Sequence, residues 1–482
     1  MSSKRPLISL RMAGISLIDC DHKTPKAQEQ GRPYVGIPQL KDGRITLNGA
    51  RLISEEDFHH WRRKTKPTPD DVVLSRRCNP GESSYVPNAL EFALGQNLVL
   101  LRSDGTKIYP PFLRWLTQGT QWWSQVNMYI NVGAVFDSLK CADIPKFEIY
   151  LPELNEQKRI AETLGGLDGK IQINHKINQT LEQMAQAIFK SWFVDFEPVK
   201  AKIAALEAGG SEEDALLAAM QAIAGDTQEC TNTVEGSAPG AATGGKLTRL
   251  QAEQPEQYAT LCATAELFPS AMQDSELGEI PEGWSVSSIY EIADVVYGAP
   301  FKSKLFNQIG DGTPLIRIRD LKNERPGVRT PEEHPKGYLV QNGDLLVGMD
   351  GEFKPYIWGS GPAWMNQRVC CFKPKDSYSV GLIKGFIEPQ LRELELTATA
   401  TTVIHLGKGD INRFEFLNSG SPLLRVFSKI TNSLIEQIIM NKSSTSTLEQ
   451  LRNALLPKLL SGELSVSDAE TWPEEAEEHA NV

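Results

Sequence analysis

Two long stretches of this chain carry apolar residues at alternating four- and three-residue spacing. In the first, Ile160, Leu164, Leu167 and Ile171 are followed by Ile177, Leu181, Met184 and Ile188. In the second, Leu423, Phe427, Ile430, Leu434 and Ile438 are followed by Leu448, Leu451, Leu455 and Leu459. So narrow an apolar stripe is the seam of a coiled coil and must face another helix. Both seams are interrupted at an asparagine, Asn174 and Asn441. A buried asparagine would cost stability and fix register; a short loop or an exposed face reads equally well from the pattern. Pro457 is placed to bend or end the second helix. Elsewhere the pattern changes to short apolar runs, at 72–74, 98–101, 345–347 and 369–372, with Gly, Pro and Asp turns between them. These predict β-rich globules.

The chain repeats itself. Residues 131–193 align without gaps on 398–460 at an offset of 267, which places Asn174 on Asn441 and Asp143 on Asp410. Upstream the offset grows in order: Gln96 matches Gln367 (271), Asp71 matches Asp344 (273), and Tyr34 matches Leu315 (281). An ordered drift of this kind marks a duplication with small insertions. Each copy is a β-rich globule followed by a long helix. The expected division is 1–150 and 278–418 for the globules, 151–196 and 419–462 for the helices, 197–277 for a variable helical and flexible linker, and 463–482 for an acidic tail. Within the linker, 201–206 and 214–223 read as helical, and 227–245, rich in Gly, Ala, Ser and Thr, reads as mobile.

Composition alters this picture in one respect. With 482 residues the chain is too long for one core. Its net charge of −11 argues against a nucleic-acid partner until the charge is located. Residues 197–280 carry a net −10 and 463–482 a net −7, which leaves +6 on the remainder. The folded parts are therefore mildly basic, a balance that permits phosphate contact. Seven cysteines without a CxxC pair fit a reducing cytoplasm. No apolar run is of bilayer length, and the first residues do not read as a signal peptide.

Two β-rich globules, each followed by a long helix, resemble the specificity (S) subunit of Type I restriction–modification systems. The residues carrying the resemblance are the 278–284 opener (Gly-Glu-Ile-Pro-Glu-Gly-Trp), the 347–353 and 366–369 segments, 154–160 ahead of the first helix, and Thr-Leu-Glu-Gln at 180–183 and 447–450. The first copy has no clear counterpart of the opener. The resemblance implies an α+β fold with two target-recognition domains on a pair of long antiparallel coiled-coil helices, related by a pseudo-two-fold internal duplication. It implies that each globule reads half of a bipartite, asymmetric site on double-stranded DNA. It also implies that the chain docks two modification (methyltransferase) subunits and restriction (helicase-nuclease) subunits, with no catalysis or cofactor of its own. A helix over about 155–192 would span about 57 Å, enough to hold two readers one or more DNA turns of about 34–36 Å apart. The competing reading is a coiled-coil scaffold whose globules bind protein.

The motifs an enzyme would need are near-misses. Residues 240–246 approach a phosphate loop, but Leu247 stands where Ser or Thr is required. Tyr109-Pro-Pro-Phe112 resembles an amino-methyltransferase motif with tyrosine in place of the Asn or Asp that accepts from the target amine. Asp350, Glu352 and Lys354 resemble a nuclease metal site confined to one turn. The histidines are scattered without metal-ligand spacing, and no metal is expected.

Base readout needs Arg, Lys, Asn, Gln or small polar groups on presented loops. In the first globule the candidates are Lys23, Lys26, Arg76, Arg77, Gln96 and Lys140. In the second they are Lys302, Arg317, Arg319, Lys354, Asn366, Gln367, Arg368, His405 and Lys408. Any one of these reads equally as a solvated surface charge, and Gln96 and Gln367, at matching positions, as a shared structural feature. Tyr356, Trp358 and Trp364 read as core.

Overall fold

The computed structural model describes residues 5–133, 135–229, 243–276, 278–397 and 404–466. They form two compact units, one of residues up to Lys170 and again from Thr447, the other Ile171–Ser446.

The first unit is built on a six-stranded sheet in the order Ile15–Asp19, Leu98–Ser103, Val72–Ser75, Ser83–Tyr85, Arg44–Ile45, Leu40–Lys41. Its central strands are apolar throughout because both faces are covered. Val72, Leu74, Val99 and Leu101 point into a core with Phe112, Trp115 and Trp122. The alternate residues Val73, Leu98 and Leu100 point into a second core with Val35, Phe92 and Leu94.

The second unit repeats this plan. A four-stranded sheet runs Ala293–Tyr297, Val369–Pro374, Leu345–Gly348, Pro355–Ile357. Leu345, Val347, Cys370 and Phe372 face one core and Leu346, Val369 and Cys371 the other. Even the register is shared: Val72 opposes Leu101 as Leu345 opposes Phe372. Arg32–Val35 runs parallel to Ala93–Leu94, and Thr313–Ile316 parallel to Ala363–Met365. Trp358 is fully buried and Tyr356 packs on the same core, in line with their reading as core. Trp364 packs on a small neighbouring core with Phe301.

The long helices run Leu154–Phe193 and Ser421–Ser461. In the first unit Ile160 and Leu164 bury with Leu455, Leu459 and Leu460. In the second, Ile188, Phe189, Trp192 and Phe193 bury with Leu423, Leu424 and Phe427. Between these apolar ends the contact is polar. Asn174 Nδ2 donates to Thr445 Oγ1 at 3.2 Å, Asn441 Nδ2 to Asn178 Oδ1 at 2.8 Å, and Asn178 Nδ2 to the Ile438 carbonyl at 3.4 Å. Later residues on one helix thus meet earlier ones on the other, so the pair is antiparallel. Of the readings open at the asparagines, the short loop is excluded: both helices run through them, and Asn441 is buried on the seam. The first seam continues through Asn174 and Asn178 to Leu181 at the same spacing, and Ile177, expected on the seam, is exposed. Pro457 neither ends nor interrupts its helix, which continues to Ser461.

In the first unit the helices are also joined through Asp168, whose side chain is 2% exposed. Arg44 from the sheet reaches it at 2.5 Å and Arg452 from the second helix at 2.8 Å, and Arg114 completes the cluster. Burial pushes this carboxyl up, but the nearby charges of Arg114 and Arg44 outweigh it and hold the group below the usual carboxylate range.

Among the described residues, segment 197–266 holds the helices Glu197–Glu207, Glu212–Glu229, Thr243–Glu253 and Pro255–Glu266. Val199, Ala219, Met220 and Phe268 join the second unit's core beside Trp192. The stretches read as helical lie in the first two. Of the stretch expected to be mobile, 230–242 lies outside the described residues, as do most of the acidic tail and residues 240–242 of the near phosphate loop, the rest of which opens the helix Thr243–Glu253. The opener forms strand Gly278–Pro281 against Met272–Ser275 and buries Trp284.

Candidate nucleic-acid interface

At one end of the first unit's sheet, the strand Val72–Ser75 runs out into Arg76, Arg77 and Cys78. Arg76 N donates to the Asn97 carbonyl at 3.0 Å, and Leu139 N donates to the Arg76 carbonyl at 2.8 Å. Cys78 adopts a left-handed conformation, φ 65°, which turns the chain back. These constraints shape a pocket of about 490 Å³ lined by His22, Arg76, Arg77, Gln96, Asn97 and Phe136, with Cys78 at its edge. Gln96 is exposed and its backbone N–H donates to Tyr34 Oη at 3.1 Å. The Arg77 guanidinium lies 5.5 Å from the Phe136 ring centre. Arg76 is 9% exposed, and its Nε has no hydrogen-bond partner within the protein. Arg76 lines the pocket together with Arg77, a pair of cations suited to an anion or a base-edge acceptor.

The second unit holds the matching corner. Met349 N donates to the Arg368 carbonyl at 2.9 Å and Leu406 N to the Met349 carbonyl at 2.8 Å. These are the repeat counterparts of the bonds at Arg76. Arg77 bridges Ser138 as Asp350 bridges His405. The frame is shared and the side chains differ. His405 Nδ1 lies 2.7 Å from Asp350 Oδ1, Arg368 Nε 3.5 Å from Asp350 Oδ2, and Arg368 Nη1 3.3 Å from the His405 ring. In the first corner the nearby carboxylate, Asp19, lies 3.1 Å from His22 Nε2; in the second the carboxylate, Asp350, meets both the histidine and the arginine.

Of the sequence candidates, Arg76, Arg77 and Gln96 come together in the first corner, with Lys140 exposed just beyond Leu139. Lys23 is tied to the same corner through its carbonyl, which lies 3.5 Å from Tyr34 Oη, while Lys26 is exposed further along its loop. Arg368 and His405 come together in the second corner, next in sequence to Asn366, to the exposed Gln367 and, beyond Gly407, to Lys408. The others are engaged elsewhere. Arg317 pairs with Asp320 at 2.9 Å, Lys302 with Glu332 at 3.8 Å, and Lys354 lies 6.0 Å from the Tyr356 ring centre; Arg319 is exposed. His22, Asn97, Asp350 and Phe136 were not among the candidates. The signal for Phe136 was an apolar run set in a polar turn.

Two sequence readings change here. His22 is not isolated: its ring, the Asp19 carboxylate and the Cys20 thiol lie within 4.8 Å of one another. Burial, and secondarily the Asp19 charge, push the Cys20 thiol up to about 11, away from the thiolate a metal would need. Tyr109-Pro-Pro-Phe112 opens the helix Pro110–Leu116. There Tyr109 N donates to Gln157 Oε1 at 2.8 Å and Phe112 is fully buried, so the motif's residues serve the helix start.

A single polar corner repeated on two globules, each attached to one of two paired helices, defines a two-site recognition module. The chain belongs to the Type I restriction modification DNA specificity domain family, whose sequence profile matches residues 19–183 and 281–416. It is 29% identical to the Type I restriction enzyme HindI specificity subunit of Haemophilus influenzae over 87% of this chain and 94% of that one. It is 25% identical to the MjaIX specificity subunit of Methanocaldococcus jannaschii over 87% of this chain and 83% of that one. A solved S subunit of a Type I restriction-modification system from M. genitalium aligns at 13% identity with a TM-score of 0.48, covering 94% of this chain and 95% of that one.

Proposed function

We propose that this chain is the non-catalytic reader of a Type I restriction–modification complex. It acts in the cytoplasm on a bipartite, asymmetric site in double-stranded DNA, and it positions two methyltransferase subunits and the helicase-nuclease subunits. Arg76, Arg77 and Gln96 meet one half-site. Asn366, Gln367, Arg368 and His405 meet the other. Lys23, Lys26, Lys140, Lys302, Arg319, Lys354 and Lys408 supply phosphate contacts, which position without specifying. Arg317 acts through its pairing with Asp320. The observation that carries this reading is the repeat of one backbone frame at Arg77/Ser138 and Asp350/His405 with different side chains, as two different half-sites require. The domain division given above belongs to the same proposal.

The test is to map methylated adenines in cells with and without the gene. Loss of one two-part motif is expected. An unchanged methylome, with the partner subunits present, overturns the reading.

A further inference from the structure

The turn that closes the first corner carries apolar side chains outward. Residues 131 and 138 exchange backbone hydrogen bonds, Asn131 N to the Ser138 carbonyl at 2.8 Å and Ser138 N to the Asn131 carbonyl at 3.0 Å. Between them Val132 is 84% exposed, Val135 88% and Phe136 43%. The turn is held at its base, because Ser138 bridges Arg77 and Leu139 is buried in the core. Gly133 packs closely on the residues after it: a side chain there would stand 2.3 Å from the Phe136 carbonyl oxygen. The protein thus presents exposed apolar side chains beside a pocket whose lining includes Arg76, Arg77 and Gln96.

Apolar side chains clustered at a surface mark interaction sites. The neighbouring charges select the occupant. Arg77 lies against Phe136 and Lys140 follows two residues after Ser138, while the turn's own acid, Asp137, accepts from the Gly133 N–H at 3.4 Å. A cationic rim around an apolar tip suits a polyanion with apolar faces stacked inside it. Resting on the DNA reading above, we propose that Val135 and Phe136 form a wedge that enters the first half-site and unstacks a base step, with Arg77 and Lys140 on the flanking phosphates. Apolar side chains inserted in this way open and kink a duplex. The wedge would make the first domain a reader of DNA deformability as well as of base edges, favouring the easily opened pyrimidine–purine steps.

The experiment uses the assembled complex of this chain with its modification subunits. Duplexes carrying the motif found by methylome mapping receive 2-aminopurine at each position of the first half-site in turn. The complex should raise fluorescence at one step, with Phe136→Ala and Val135→Ser removing that rise and weakening binding roughly tenfold or more. Phe136→Trp should restore both. No fluorescent step with the unaltered protein overturns the wedge, as does a variant that binds weakly yet still unstacks the step. Loss of assembly with the modification subunits, with unstacking intact, assigns the tip to a protein partner and also overturns it. Val135 is almost fully exposed, so its variant reports even if Phe136→Ala unfolds. Failure of the unaltered complex to bind the motif at all would instead sink the DNA reading itself.

Discussion

Asn174 donates from Nδ2 to the main-chain carbonyl of Asn441 at 3.4 Å, and Asn441 is its own counterpart in the repeat, 267 residues on. A residue of the first long helix thus meets its own repeat counterpart on the second, within the second unit, and the contact there is polar. Asn178 and Asn441 are both buried there, and Asn441 Nδ2 donates to Asn178 Oδ1.

Asn441→Ala should destabilise the chain by about 1–3 kcal/mol, because it leaves buried Asn178 without its donor. Replacing Asn178 and Asn441 together by leucine should recover or raise stability and loosen the register. Thermal unfolding measures the first effect. Cysteine pairs placed across the helices measure the second, since a fixed register cross-links at one pairing and a loosened one at several.

Asp168→Asn should cost about 3–5 kcal/mol at neutral pH, as breaking a buried ion pair does. The folded carboxyl lies below its unfolded value of about 3.9, so its stabilisation is full above that value and fades as pH falls through the folded one. The gap between wild type and Asp168→Asn in denaturant midpoint should therefore hold at pH 7 and narrow below about pH 4. A gap that widened in acid would contradict the assignment.

Cys78 is exposed at the edge of the first corner, whereas Cys20 is buried and its thiol is pushed up to about 11. At pH 7.5 a maleimide should label Cys78 rapidly and Cys20 slowly, as read by peptide mass spectrometry. Cognate DNA should protect Cys78. Equal labelling with and without DNA would place the duplex elsewhere.

Four residues inserted between Asn174 and Thr180 add about 6 Å of helix. They should lengthen the unspecified spacer of the methylated motif by one or two base pairs of about 3.4 Å each. Two inserted residues rotate the seam by roughly 200° and should abolish activity by turning Leu181 and Ile188 outward. An active four-residue variant with an unchanged spacer would show that contacts elsewhere set the separation.

The repeat, the helices and the alternating strands were legible because each is a periodic signal, and burial enforces periodicity. The long helix expected over 155–192 runs Leu154–Phe193. The polar middle of the seam was not resolved, because asparagine in a heptad reads alike whether a second asparagine or water faces it. The partners that decide it, Thr445 for Asn174 and Asn178 for Asn441, lie on the opposite helix in each case. The corners were half legible. Arg76, Arg77 and Gln96 are near in sequence to strong strands, whereas the Asp350–His405 contact joins residues 55 apart through a fold the composition does not encode locally. The packing of 197–266 was hidden for a similar reason: Val199, Met220 and Phe268 are too widely spaced to announce a common core.

The Asp168 cluster sets a condition on exchanging recognition modules between relatives. Arg44 and Arg114 belong to the globule, Asp168 to the first helix and Arg452 to the second. A graft cut at residue 150 imports a foreign globule and keeps the carboxylate. Unless the donor brings bases to the positions of Arg44 and Arg114, the acid retains only Arg452, and the chimaera starts with a charge defect at its joint. At the repeat-equivalent site in the second copy Ile435 takes the place of Asp168, so a graft there meets an apolar seat and no such ionic match is demanded. The two halves of the chain should therefore differ in how freely they trade specificities, with the second the more permissive acceptor.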